Sequence, residues 1–403
     1  MSGPADPRRG RTSHLNEWLA DNLAQRAAEG LLRSRRQFRP FSGDCCEVDG
    51  QRVRNFASND YLNLARHPRV IAAAQTVLAA AGVGATASAL VCGRTVWHER
   101  LEQALAEWEG TAAAVLFPTG LAANLGTVSA LVGPDDVVYC DRFNHASLVD
   151  GCRLSGARLR VYRHDRLEAL ERDLRKGAAA RRRWIVTDAV FSMEGDLAPL
   201  PELCGLAERF DAGVIVDEAH ATGVFGAQGR GVCEHFGLLD RVAVRIGTLS
   251  KALGAMGGFV CGPQTLIDYL WNTARSQMYS TALPPAICAA ALEAVIILRE
   301  TPELVRMLSA RAAEFRAALR SRGVEPLAGS QGPIVPIVLG DAAHTVAIAA
   351  DLAARGYWVG AIRPPTVPRG TSRLRISISL AHAPTTLMEL ADALAEVLHS
   401  PRR

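Results

Sequence analysis

The chain has 403 residues, enough to bury a large core and to form two or three domains. Hydrophobic residues make up 49% and charged residues 21%, a globular balance that excludes a disordered chain, and no apolar run approaches the roughly 18 residues of a membrane span. The net charge of +4 sits in the tails: Arg8, Arg9 and Arg11 against Asp6 give +2, and Arg402 and Arg403 another +2, so the body is formally neutral and shows no basic face for nucleic acid.

Residues 1–12 are rich in Pro, Gly and Arg and predict an unstructured tail. No apolar stretch follows those arginines, so they do not form a secretory signal, and a cytoplasmic location is expected. Leu15, Trp18, Leu19, Leu23, Ala27 and Leu31 recur at helical spacing and predict an amphipathic helix over 13–32. A small β region follows near 45–58, with Asp49-Gly50 as its hairpin turn. Between 110 and 262 short apolar runs alternate with helical stretches: 112–117, 136–140, 158–162, 184–188, 213–217, 242–247 and 257–261. Several are apolar throughout, as parallel strands covered on both faces are. The pattern predicts an α/β fold with a mainly parallel, seven-stranded sheet between helices. Arg181, Arg182 and Arg183 read as a solvated loop before one of its strands.

After 290 the rhythm changes. A long helix over about 285–322 leads to a strand at 333–338, a helix at 343–355 and strands at 357–362 and 373–380. A last helix carries Leu387, Leu390, Leu394, Val397 and Leu398 on one face. The expected organisation is a tail (1–12), an N-terminal helix with a small β region (13–55), a large domain (56–290) and a smaller C-terminal α/β domain (291–403). Nine cysteines lack metal-ligand spacing and are expected to be reduced thiols in small core positions, with no metal site.

In such sheets ligands bind beyond the carboxyl ends of the strands, so polar residues that follow the apolar runs are the candidates. The run 213–216 ends in Asp217-Glu218-Ala219-His220. Ile246-Gly247 continues into Thr248-Leu249-Ser250-Lys251, and 184–187 leads to Asp188 and then Phe191-Ser192. An acid, an imidazole, a lysine and hydroxyls thus gather at one edge. A lysine amine can form a Schiff base with an aldehyde cofactor, an electron sink for a substrate carbanion. That chemistry needs a carboxylate against a pyridine nitrogen and a cradle for a phosphate. Pro118-Thr119-Gly120-Leu121 follows a strand and opens a helix, so it offers free amides and a helix dipole to an anion. Singly, each residue has a plainer reading: a surface lysine, a helix-capping Asp, structural histidines at 145 and 220. Their order and location together carry the signal. Dinucleotide and P-loop signatures are absent, and an acylating S-x-x-K reading of Thr248–Lys251 lacks its companion motifs.

Four segments, Ser58-Asn59-Asp60-Tyr61-Leu62, Asn144-His145-Ala146-Ser147, Asp217-Glu218-Ala219-His220 and Thr248-Leu249-Ser250-Lys251, resemble the α-oxoamine synthases. These are fold-type-I pyridoxal-phosphate transferases that join an amino acid to an acyl thioester with loss of carbon dioxide. The resemblance runs from about residue 13 to 398. Ala361-Ile362-Arg363-Pro364-Pro365-Thr366-Val367-Pro368, with Arg373-Leu374-Arg375, is similar to the branch that condenses L-alanine with a pimeloyl thioester in biotin biosynthesis. Glycine-using branches typically differ there. The resemblance implies pyridoxal 5'-phosphate as cofactor, Lys251, His145, Asp217 and His220 as catalytic residues, and a homodimer with shared active sites. Lys251 would bond the cofactor's aldehyde and later move protons at the substrate α-carbon. Asp217 would pair with the pyridine nitrogen, His145 would stack on the ring, and His220 and Ser192 would bond its phenolic oxygen or neighbouring polar groups. Gly120, Leu121 and Thr248 would hold the phosphate, with Ser280 or Thr281 reaching across the dimer. Arg375 would pair with the amino acid carboxylate through its planar fork. Arg33, Asn59 and Thr366 match substrate-contacting positions.

The chain departs from the family pattern in the loop 82–94, where Ala85, Thr86, Ala87 and Ala89 replace glycine and serine. Leu121 stands where relatives often have an aromatic, and Asp188 where they commonly have glutamate. These departures bear on acyl-donor choice and leave Lys251 and Asp217 untouched. Two alternatives stand beside this reading: a related synthase using another acyl thioester or amino acid, and a cofactor-binding homologue without turnover.

Overall fold

The structure, a computed structural model, describes residues 7–400 apart from 42 and 178, with side chains from residue 14 onward. The first helix, α1 (Pro7–Ala28), begins inside the stretch expected to be unstructured. A proline's fixed φ suits a first helical turn, and its missing N–H costs nothing there. The expected tail at residues 1–6 lies outside the described residues. The helix stops at Ala28 instead of 32 because Gly30 takes φ 67°, which lets the Gly30 and Leu31 amides close back on Ala27 and Arg26. Strands β1 (Phe38–Pro40), β2 (Cys45–Val48) and β3 (Gln51–Asn55) form the small β region. Asp49 and Gly50 join β2 to β3 with φ of 51° and 87°, the positive pair that a two-residue hairpin turn requires. Helix α2 (Pro68–Ala81), a π-turn over Ala89–Gly93 and α3 (Val96–Glu109) lead to the main sheet.

That sheet is laid down as β4 (Ala113–Phe117), α4 (Gly120–Leu131), β5 (Val137–Asp141), α5 (Ala146–Leu154), β6 (Arg158–Tyr162), α6 (Leu167–Lys176) and β7 (Arg183–Asp188). It continues as α7 (Leu200–Arg209), β8 (Ala212–Asp217), α8 (Val232–His235), β9 (Val244–Thr248) and β10 (Gly258–Gly262), with α9 (Gln264–Thr273) and α10 (Arg275–Met278) following. The strand order is β4-β10-β9-β8-β7-β5-β6, and only β10 runs antiparallel to its neighbours. Each predicted run therefore became a strand. Alternate side chains serve opposite cores: Val137, Tyr139, Ile185, Val214 and Val216 pack on one face, and Val138, Cys140, Val186, Ile215 and Ile246 on the other. At the edge, β6 exposes Arg158 and Arg160, charges that discourage pairing with another chain. Arg181 and Arg182 do not simply face water, since both ion-pair with the buried Asp136.

The predicted helix 285–322 is two helices, α11 (Pro285–Glu300) and α12 (Glu303–Ser321), because Pro302 cannot continue the first. Helix α11 packs on α2 and α3, so the expected domain boundary at 290 falls inside it. Then come β11 (Ile334–Gly340), α13 (Ala342–Ala354), β12 (Tyr357–Trp358), β13 (Gly360–Ile362), β14 (Ser372–Ser377) and α14 (Pro384–His399). The run 357–362, predicted as one strand, splits at Val359 between two sheets. Strand β12 joins β3 in parallel, and β13 joins the three-stranded sheet β11-β14-β13. Most cysteines are buried, but Cys92 is exposed and Cys45 half-buried, contrary to the expected core positions. No helix among the described residues is long and apolar enough to cross a membrane.

Candidate active site

Strands β5, β7, β8 and β9 run parallel, so the loops after them share one edge of the sheet. There they enclose a cavity of about 220 Å³ whose lining includes Gly120, Leu121, His145, Ser192, Asp217, His220, Thr248 and Lys251. The sequence had nominated every one of these.

Lys251 sits in a tight turn after β9, closed by the Gly254 amide on its carbonyl at 2.9 Å. Gly254 has φ 64°, and a Cβ there would lie 2.2 Å from the Ala65 nitrogen, so only glycine lets the turn seat. Burial pushes the Lys251 ammonium down to about 8, although the carboxylates of Asp217 and Asp188 pull the other way. About a tenth of this amine is therefore uncharged at pH 7, far more than an exposed lysine offers, and able to attack an aldehyde.

Asp217 ends β8 in register with Asp188 at the end of β7. One oxygen accepts the Ala219 amide at 2.7 Å and the other the Asn124 side-chain amide at 2.6 Å. Asp188 accepts the His145 amide at 2.6 Å, and burial, then the nearby Asp217, raise its carboxyl well above the usual range. Asp217, which lines the cavity, is the carboxylate placed to face a cationic ring nitrogen. Asn124 escaped the sequence reading because it lies inside a small-residue helical stretch, with no motif to mark it.

His145 caps α5, and its Nδ1 lies 2.7 Å from Ser147 Oγ. Burial lowers its pKa, so the ring is neutral in the cavity wall. His220 Nδ1 pairs with the buried Tyr61 hydroxyl at 2.8 Å, and burial followed by the charges of Lys251 and Arg375 lowers its pKa well below the ordinary value. Tyr61 also takes a contact from Arg375 at 3.4 Å, so one phenol joins the His220 wall to strand β14.

Arg375 comes from β14 and reaches across to the Ser192 loop. Its Nε donates to the Ser192 carbonyl at 2.7 Å, while the two terminal nitrogens reach Asn59 Oδ1 at 3.2 and 3.3 Å and Nη1 also reaches Ser377 at 3.0 Å. Its donors are thus engaged by protein groups, and an incoming carboxylate has to exchange with Asn59. Asn59 enters the site through this contact.

At the mouth of α4, the Thr119 side chain caps Ala122 at 3.0 Å. The Gly120 and Leu121 amides have no acceptor among the described residues, as an anion cradle requires. Thr248 donates its hydroxyl to the Gly257 carbonyl at 2.8 Å, which leaves its oxygen to accept from the Ser250 hydroxyl 2.9 Å away, so the two hydroxyls form a linked pair beside the cradle. Ser250 stood in the Thr248–Lys251 motif but was given no role of its own from sequence.

Four nominated residues lie away from this cavity. Arg33 borders a separate space of about 640 Å³ beside Arg363, between α13 and the small β region. Thr366 lies in the turn after Arg363, whose carbonyl takes its amide at 3.2 Å. Ser280 faces a small gap next to Pro118, and Thr281 bridges to Ser88 in the loop 82–94.

With that geometry, the class I and II aminotransferase profile matches residues 51–394. The chain belongs to this family. Among curated family members, the 8-amino-7-oxononanoate synthase of Alkalilimnicola ehrlichii is 48% identical over 95% of this chain and 98% of its own length. That of Methylococcus capsulatus is 48% identical over 94% and 98%. Solved structures of the family superpose closely. A serine palmitoyltransferase from S. paucimobilis, with a bound PLP–myriocin aldimine, has a TM-score of 0.89 at 30% identity, covering 94% of this chain and 96% of that one. The 8-amino-7-oxononanoate synthase of Francisella tularensis has a TM-score of 0.74 at 28% identity, covering 86% and 98%. The fold-type-I assignment made from the motifs is thereby shown.

Proposed function

We propose that this chain holds pyridoxal 5'-phosphate on Lys251 and joins L-alanine to a pimeloyl thioester. The products are 8-amino-7-oxononanoate, carbon dioxide and free thiol, a step of biotin biosynthesis expected in the cytoplasm. The observation that carries the reading is the convergence of Lys251, Asp217, His145 and His220 on one cavity beside a helix N-terminus with free amides. The near full-length likeness to named 8-amino-7-oxononanoate synthases supports the substrate pair.

The residues fit the cofactor at each of its ends. Lys251 supplies an amine of lowered pKa for the aldehyde. Asp217 offers a carboxylate to the ring nitrogen, and Gly120, Leu121, Thr248 and Ser250 surround the phosphate position. When bound, the cofactor supplies an electron sink for negative charge at the amino acid α-carbon. His145 would pack against the cofactor ring, and His220 and Ser192 would bond its phenolic oxygen or neighbouring polar groups. Arg375 exchanges Asn59 for the amino acid carboxylate and fixes which bond at the α-carbon faces Lys251. Lys251 then accepts the α-proton and later returns one to the product.

A homodimer completes the site in this reading. Val83, Val91, Leu121 and Tyr279 are all more than half exposed, large apolar side chains suited to contact with a second copy. Arg33, Thr366 and Ser280 or Thr281 would then act on the acyl donor or across that contact. Residues 56–290 form the cofactor-binding domain and 291–403 the smaller domain under this proposal.

The deciding experiment is an absorbance spectrum of the purified protein, followed by L-alanine and pimeloyl-coenzyme A while free thiol is measured. A visible band that vanishes in Lys251→Ala, with thiol release that needs both substrates, is the expected result. A Lys251-dependent band without thiol release moves the assignment to another acyl donor or amino acid. Absence of any band with cofactor supplied overturns the reading.

A further inference from the structure

Asn124 and Ser147 join the two groups proposed to flank the cofactor ring into one hydrogen-bond chain. The Asn124 amide nitrogen donates to Asp217 Oδ2 at 2.6 Å and to Ser147 Oγ at 2.8 Å. Both of its protons are then committed, and Ser147 Oγ acts as an acceptor on that side. Reversing the amide would set its oxygen against the Asp217 carboxylate, so charge fixes its orientation. The hydroxyl proton of Ser147 has one partner left among the described residues, His145 Nδ1 at 2.7 Å. The Ser147 backbone N–H faces the same nitrogen at 3.3 Å. A ring nitrogen that meets two donors must present its lone pair, which sends the proton of a neutral imidazole to Nε2. Asn124 and Ser147 are 2% and 1% exposed, so water does not compete for these contacts.

We propose that Asn124 and Ser147 are positioning residues that hold the Asp217 carboxylate in place and His145 as the neutral tautomer protonated on Nε2. The inference rests on the proposed reading of the site and deepens it: His145 donates a hydrogen bond from Nε2 to substrate and does not shuttle protons. The charged and titratable groups around His145 are Asp217 and His220 from the end of β8, Asp188 from β7, Lys251 after β9 and Asp150 on its own helix. Burial disfavours the charged ring most, Asp217 and Asp150 favour it, and Lys251 opposes it.

The test is long-range proton–nitrogen NMR of the full-length, cofactor-free protein labelled with ¹⁵N-histidine, with the His145 signals identified by their loss in His145→Gln. The expected spectrum shows Nδ1 unprotonated and Nε2 protonated at neutral pH and above. In Ser147→Ala the ring should gain Nδ1-protonated tautomer and titrate about one pH unit higher, because a donor to its lone pair is gone. Ser147→Thr keeps the hydroxyl and should restore the wild-type pattern. Asn124→Ala, which strips a donor from Asp217, should weaken cofactor binding about tenfold, read by equilibrium dialysis. A wild-type His145 protonated on Nδ1, a Ser147→Ala spectrum identical to wild type, or unchanged cofactor affinity in Asn124→Ala would overturn the proposal. If Ser147→Ala does not fold, the wild-type and Ser147→Thr spectra still decide. The spectra are recorded without cofactor or substrates, so failure of the proposed reaction leaves their outcome untouched.

Discussion

At Lys251, burial disfavours the ammonium more strongly than Asp217 and Asp188 favour it, and the group settles at about 8. Below that pH the rate of cofactor capture by the apo-protein should rise about tenfold per unit as the neutral amine increases, then level off above it. Stopped-flow absorbance across a pH series checks this. The linkage has a definite sign: a folded pKa below the unfolded one means that the unfolded chain binds more protons between about 8 and 10.5. This group therefore makes the apo-protein more stable as pH rises through that window. Asp217→Asn keeps the shape and removes the charge, so turnover should fall by about two to three orders of magnitude in a thiol-release assay. At this scale the sequence was most informative where motifs marked chemistry, as at Lys251, Asp217 and His220. It had nothing to mark Asn124 and gave no individual role to Ser250 or Tyr61 within their motifs, because their roles come from contacts across 93, 2 and 159 residues of chain. Even the near contact of Ser250 stayed hidden, because nothing local shows that Gly257 takes the Thr248 proton.

The element that positions the anion cradle is α4, whose first turn is held by the Thr119 side chain. Thr119→Ala should lower stability by about 1 kcal/mol and loosen cofactor binding, measured by denaturant melts and dialysis on the same preparation. The Ser192 loop is held differently. His164 bridges Asp141 at 3.2 Å and Asp196 at 3.3 Å and stacks on Phe191, 4.3 Å between ring centres. Burial opposes the imidazolium, but the hydrogen bonds of Asp141 and Asp196 outweigh it and raise the pKa to about 10. A raised folded pKa gives stability fully present below about 6.5 and lost as pH rises through about 10. His164→Gln should cost roughly 3 kcal/mol near neutral pH and flatten that part of the stability profile, as thermal melts across pH would report. Strand positions were legible because a doubly covered strand must be apolar throughout. The division of 357–362 between two sheets was not, because both halves are half-buried and apolar patterning does not name the partner strand.

For the whole molecule, the exposed apolar side chains of the loop 82–94 and of α1 call for a covering surface. Val83 is 81% and Val91 77% exposed, and Leu15, Trp18, Leu19 and Leu23 form a solvent-facing row on the first helix. Sedimentation should give twice the 43.1 kDa chain mass. Val91→Asp should weaken the self-association about tenfold or more and reduce turnover with it. The sequence alone determined the strand count of the main sheet, its mainly parallel architecture and much of the chemical identity of the cavity wall, because periodicity, apolar runs and ordered motifs are local properties. Tertiary structure decided which distant groups meet. It set Asn124 against Asp217, drew Arg375 from the last strand onto Ser192 and Asn59, and kept Arg33 and Thr366 away from the cavity. Those outcomes depend on how packed elements cross and on where buried polar groups find partners, and no local pattern along the chain encodes either.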